Sequence, residues 1–161
     1  MYWLSNMKKI GSLLFCILMT YALIAQQERP KLIVGIVVDQ MRNDFIHNYW
    51  DKYGEGGFKK LLKQGFYCKN THYNYVPTYT GPGHASIYTG TTPATHGIIA
   101  NTWYNKYIAQ EIYCTQDDSV FSVDVTGKAG KMSPTNLKAS TITDELKIST
   151  NGRAKVIGVS L

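Results

Sequence analysis

The chain has 161 residues, 17 of them Lys or Arg and 11 Asp or Glu, for a net charge of +6. An apolar share of 44 % with only 17 % charged residues excludes a disordered or highly charged chain. No Gly-X-Y run, heptad array or longer repeat is visible, which excludes collagen, long coiled coils and solenoids.

Residues 1–25 read as a signal peptide. Lys8 and Lys9 form a basic start, Ile10 to Ala25 is apolar, and no acidic residue precedes Glu28. The stretch is marginal as a membrane span, which needs about 20 apolar residues. Cleavage after Ala25 is the expectation, with a retained anchor as the alternative. The mature chain would then be periplasmic or secreted, without stable membrane association. Without Lys8 and Lys9 the remainder holds 15 basic and 11 acidic residues, a net +4. Its lysines are scattered, so a solvated surface is expected rather than a nucleic-acid partner, with a mild bias towards anionic substrates. Cys68 and Cys114 could pair in an oxidising compartment, and sequence alone leaves this open. With no C-x-x-C, a cysteine zinc site is not expected.

Residues 26–31 form a polar linker. The run Leu32 to Val38 is almost unbroken apolar and β-branched, the pattern of a strand buried on both faces. Phe45–Trp50 predicts a short helix, and Phe58–Gln64 a second one closed by Gly65. Phe66–Tyr75 is a candidate strand. Pro77–Gly83 is a loop, followed by a helix at His84–Tyr88 that Thr89-Gly90 ends. Ile98–Tyr104 and Glu111–Thr115 predict strands around a turn at Asn105-Lys106. Residues 116–132 read as loop, Ser133-Pro134 as a helix start, and Thr143–Ile148 as a helix. Asn151-Gly152 then turns the chain into a second buried-type strand at 155–161. Strands alternating with helices predict an α/β fold with a mainly parallel central sheet flanked by helices. Ending on such a strand, the chain is expected to be the N-terminal part of a larger domain covering 26–161 and beyond.

Three residues stand out chemically. Asp39 follows the run 32–38, at the strand end where α/β folds bind ligands, and its carboxylate suits a divalent metal. An ordinary turn or helix-capping Asp is the equal alternative. Thr80 sits where an N-cap belongs, with Pro82 in the first turn. Its hydroxyl is either a cap or a nucleophile, and a nucleophilic Thr needs a metal or a base. Asn101 can donate to a phosphoryl oxygen, although alone it reads as a turn residue. Gly81-Pro-Gly83-His-Ala-Ser86 lacks the third glycine of a dinucleotide loop, and Ser86 lacks the flanks of a nucleophile elbow. His47, His72, His84 and His96 show no short metal-ligand spacing and read as structural or exposed.

Together these pieces resemble one family. The series is V-V-D-Q-M-R-x-D from Val37, Y-G-E-G-G-F-K from Tyr53, P-T-x-T-x-x-x-H from Pro77, and T-G-x-x-P-x-x-H-G-I-x-x-N from Thr89. It resembles the metal-dependent alkaline phosphatase superfamily in its nucleotide pyrophosphatase/phosphodiesterase branch. Within that branch it is similar to the secreted, PafA-type bacterial phosphatases. The resemblance implies a partial alkaline-phosphatase-like fold that hydrolyses small phosphate monoesters through a phospho-threonine. It also implies two Zn2+ ions in the complete enzyme. Asp39 matches a zinc-ligand aspartate, Thr80 the nucleophile that also touches zinc, and Asn101 the asparagine on a phosphate oxygen. Gly81-Pro82-Gly83 after Thr80 departs from the sulfatase motif. The family's remaining ligands, and the lysine and arginine of its monoesterase branch, have no counterparts in this chain. Two alternatives stand beside this reading: a phosphodiesterase or pyrophosphatase of the same superfamily, and a non-catalytic fragment.

Overall fold

The computed structural model describes Trp3, residues 30–123 and residues 126–160. The expected signal peptide therefore lies outside the described residues, apart from Trp3. The chain divides into two units between Ile36 and Val37. In the first, residues 30–36 have no regular secondary structure.

The second unit opens with helix α1, Asp44–Asn48, which runs into a 3-10 turn at Trp50–Lys52. Helix α2, Gly57–Gln64, follows and ends at Gly65 as expected. Helix α3 covers Thr80–Thr89 and stops at Gly90, which takes a left-handed conformation. It starts four residues earlier than expected. Pro82 falls in the first turn, where a helix needs no donor from it. Helix α4, Pro93–His96, is a single turn with proline at its start. Strands β1, Thr102–Asn105, and β2, Gln110–Tyr113, pair antiparallel, with Thr102 opposite Tyr113 and Asn105 opposite Gln110. Helix α5, Ile142–Ser149, has a complete capping box between Thr141 and Asp144.

Several expected elements differ. Leu32–Val38 and 155–160 have no regular secondary structure and no ladder partner among the described residues, and both leave apolar side chains in solvent. A parallel strand gains burial only between neighbours, so the β1–β2 hairpin is the one ladder of named strands among the described residues. The segment 66–75 is likewise without a ladder, with a turn at 69–70. Ser133-Pro134 opens one turn, closed by Leu137 N–H on the Pro134 carbonyl at 2.8 Å, and no helix follows. The reason is competition. Asn136 Nδ2 donates to the Cys114 carbonyl at 3.2 Å, and Lys138 N–H donates to the His96 carbonyl at 2.9 Å. These bonds pull the segment across α4 and the hairpin.

The small core lies where these parts meet. Ile98 and Cys114 are its buried apolar members, joined by Pro82, Ser86 and His96. Helix α3 packs on α4 and α5, so its first turn rests on the best-buried part of the chain.

Candidate active site

Three loop or helix ends supply the site. Asp39 follows Val38, and Gln40 after it takes a left-handed φ of 56°, a conformation that a non-glycine side chain adopts at a cost. The chain thereby turns sharply just beyond the carboxylate. Thr80 is the first residue of α3, and Tyr79 before it is the cap. This corrects the expected N-cap position of Thr80. No side chain caps α3, so the Thr80 hydroxyl is not spent on a backbone N–H. It points instead to Asp39, Oγ1 to Oδ2 being 3.5 Å, the outer limit of a hydrogen bond.

Asn101 reaches the same place from the segment after α4. Its Oδ1 accepts the Gly81 backbone N–H at 2.7 Å. Because the carbonyl end is taken, the amide's two donors on Nδ2 are the end left for a ligand. The bond also limits what this helix start can offer an anion. Of the first three residues of α3, Gly81 gives its N–H to Asn101 and Pro82 has none, which leaves the Thr80 N–H.

Asp39, Thr80 and Asn101 line one open cavity of about 470 Å³, together with Tyr73, Tyr79 and His84. The Tyr73 ring meets Tyr75 at a tilt of 57° with centroids 5.3 Å apart, and burial followed by the neighbouring Tyr75 pushes its phenol up. The His84 ring bonds the Thr80 carbonyl through Nδ1 at 2.9 Å, one helical turn back. Of the four histidines, His96 is buried and held outside this cavity.

Gly81 is the residue that sequence patterns miss here. A Cβ on it would lie 3.1 Å from Asn101 Oδ1 and 3.3 Å from both the Ala100 carbonyl and Cys114 Sγ. No side chain fits without moving Asn101. A glycine between Thr80 and a proline carries no such signal by itself, because its role depends on a residue 20 positions away. Cys68 and Cys114 are both free thiols, Cys114 being buried, which pushes its thiol up.

The oxygen donors Asp39 and Thr80 suit a hard or borderline divalent cation. Two oxygens on one tetrahedral zinc stand roughly 3.3 Å apart, given bonds of about 2.0 Å, close to the separation seen here. Two oxygens by themselves do not make a four-ligand site. Among the described residues no group of three or more His, Cys, Asp or Glu side chains gathers around one point.

The chain belongs to the Type I phosphodiesterase / nucleotide pyrophosphatase family, which matches residues 33–154. It is 52 % identical over 134 residues to alkaline phosphatase PafA of Elizabethkingia meningoseptica, covering 83 % of this chain and 24 % of that protein. It is 49 % identical over 158 residues to a protein of Myroides odoratus named calcium-transporting ATPase, covering 97 % of this chain and 29 % of that one. The crystal structure of wild-type alkaline phosphatase PafA superposes with a TM-score of 0.80 at 50 % identity, covering 83 % of this chain and 26 % of that one. The described residues are thus a partial α/β fold of the alkaline phosphatase kind, and the chain spans about a quarter of the length of these relatives.

Proposed function

We propose that this chain carries the nucleophile side of a zinc-dependent phosphatase, exported from the cytoplasm, that hydrolyses small phosphate monoesters through a phospho-threonine. The observation that carries the reading is the Thr80 hydroxyl, free of any capping role, 3.5 Å from the Asp39 carboxylate in the cavity that Asn101 lines. The names of the relatives support the substrate class.

In this reading Asp39 and Thr80 would hold one of two zinc ions, with the rest of the ligand set supplied by the complete enzyme. Bound zinc supplies Lewis acidity, which lowers the pKa of a hydroxyl and neutralises charge on a leaving oxygen. Thr80 loses its proton to solvent and its Oγ1 attacks phosphorus in line. The bond from phosphorus to the alcohol oxygen breaks, and the alcohol leaves with a proton. Asn101 Nδ2 donates to a phosphoryl oxygen as charge builds there, held in that orientation by Gly81. Water then cleaves the Thr80–phosphorus bond, which frees inorganic phosphate and restores the hydroxyl. By itself the 161-residue chain is expected to be inactive or nearly so, since zinc needs about four ligands.

The family's description and the ATPase name of one relative favour a second reading, hydrolysis of phosphodiesters or pyrophosphate bonds. One experiment addresses both. The full-length gene product is assayed with zinc on p-nitrophenyl phosphate and on bis-p-nitrophenyl phosphate, then trapped with phosphate and analysed by mass spectrometry. The expected results are a preference for the monoester, phosphate on Thr80, and loss of activity in Thr80→Ala. Full activity in Thr80→Ala would sink the assignment, and a diester preference would select the second reading.

A further inference from the structure

Outside the cavity lies a hydrogen-bonded relay, buried around His96 and part-buried at Tyr75, that the proposed chemistry does not use. His96 closes α4 and is fully buried. Its Nδ1 accepts the Ile98 backbone N–H at 3.1 Å. A ring nitrogen that accepts carries no proton, so in the neutral ring the proton is on Nε2. Nε2 lies 3.0 Å from Ser86 Oγ and therefore donates to it. The Ser86 hydroxyl donates in turn to the Tyr75 hydroxyl oxygen, 2.9 Å away. Each link has one direction, and burial, which lowers the affinity of His96 for a second proton, agrees with it.

The relay joins three segments that reach the cavity. Ser86 is on α3, which begins with Thr80. Ile98 begins the stretch that ends at Asn101. Tyr75 precedes the loop that delivers Thr80. The far side of His96 is held too, because Lys138 N–H donates to its carbonyl at 2.9 Å. Gly97, at φ 82°, has no space for a Cβ, which would meet Lys138 Cγ at 2.9 Å. Thr80 and Asn101 are thus linked twice: directly, by Gly81 N–H on Asn101 Oδ1, and at the rear, through Ser86 and His96.

We propose that His96, as the neutral Nε2–H tautomer, is a positioning residue that clamps α3 to the 98–101 segment and so keeps Asn101 seated on Gly81. Its effect on turnover rests on the phosphatase reading above, whereas its effect on the Gly81–Asn101 bond does not.

The test uses the full-length gene product, labelled with 15N-histidine and 15N-glycine, as wild type, His96→Asn and Ser86→Ala. The Ser86 variant cuts the helix link alone and keeps the test readable where His96→Asn fails to fold. The expected wild-type ring has a protonated Nε2 and a bare Nδ1. Both variants move the Gly81 amide proton upfield, and kcat on p-nitrophenyl phosphate falls about ten- to a hundredfold with a smaller change in KM, as for a misplaced catalytic group. A purely structural role would lower the melting temperature and leave the Gly81 signal in place. An unmoved Gly81 signal in Ser86→Ala, or a proton on Nδ1, overturns the proposal. A shifted Gly81 signal in a protein with no phosphatase activity upholds the clamp and removes the phosphatase reading instead.

Discussion

The Thr80 hydroxyl had two plausible uses in the sequence, a cap or a nucleophile, and one residue of helix register separates them. With Tyr79 at the cap and Thr80 at the first helical position, the hydroxyl cannot reach its own helix's free donors and faces Asp39. Asp39 and Thr80 stood out in the sequence because each sits where chain direction or polarity changes abruptly, whereas Asn101 stood out only through the family resemblance; the structure brings all three to one cavity. The role of Gly81 was not legible, since it lies in a contact across 20 residues. Gly81→Ala tests that contact. Its Cβ would press on Asn101 Oδ1, the Ala100 carbonyl and Cys114 Sγ together. We expect a loss of about 1–3 kcal/mol in stability, typical of overpacking, with a fall in kcat/KM of about tenfold or more in the full-length enzyme. Denaturant unfolding and steady-state kinetics would measure the two effects separately. Unchanged kinetics in a folded variant would show that Asn101 does not need its seat.

Local signals gave good account of elements that close their own hydrogen bonds. Helix α2 ends at Gly65, α3 at Gly90, and α5 lies within one residue of its expected bounds at each end. The hairpin also formed, although its loop spans 106–109 with Ala109 at φ 52° rather than turning tightly at Asn105-Lys106. The start of α5 can be tested directly. The Thr141 backbone N–H, and secondarily its hydroxyl, hold Asp144 below its ordinary value of 3.8. A carboxylate depressed in the folded state stabilises it above the ordinary value, and that stability is lost as pH falls through the lowered one. Amide-exchange protection in α5 should therefore hold steady from pH 7 to about pH 4.5 and drop below 3.8. Thr141→Ala should cost about 1 kcal/mol at neutral pH and blunt the drop. A variant with the same acid profile as wild type would assign the drop to the Thr141 backbone N–H alone, which alanine keeps.

At the scale of the whole molecule, the described residues hold a small core and a large exposed apolar surface. Leu32 is 79 % exposed, Ile157 85 % and Val159 94 %. Exposed apolar segments without ladder partners invite association with other chains. The isolated chain should bind a hydrophobic dye and self-associate with rising concentration. Ile157→Lys with Val159→Lys should reduce both in light scattering and dye fluorescence, and an unaffected double variant would place the association elsewhere. The proposed metal role of Asp39 and Thr80 can be tested on the isolated chain. Calorimetry of the isolated chain should find zinc bound no tighter than about micromolar, and less still in Asp39→Ala, since complete four-ligand sites bind far more strongly. Stoichiometric uptake of two ions would contradict this.

By itself the sequence determined the α/β character and the glycine-closed ends of α2 and α3, and it singled out Asp39, Thr80 and Asn101 as candidates, because caps, glycines and apolar runs act over a few residues. Tertiary structure alone decided where those three meet, which end of the Asn101 amide faces the cavity, and that the runs 32–38 and 155–160 remain without partners among the described residues. These outcomes depend on contacts between distant segments, and local propensity carries no information about which distant groups will be there to accept or donate.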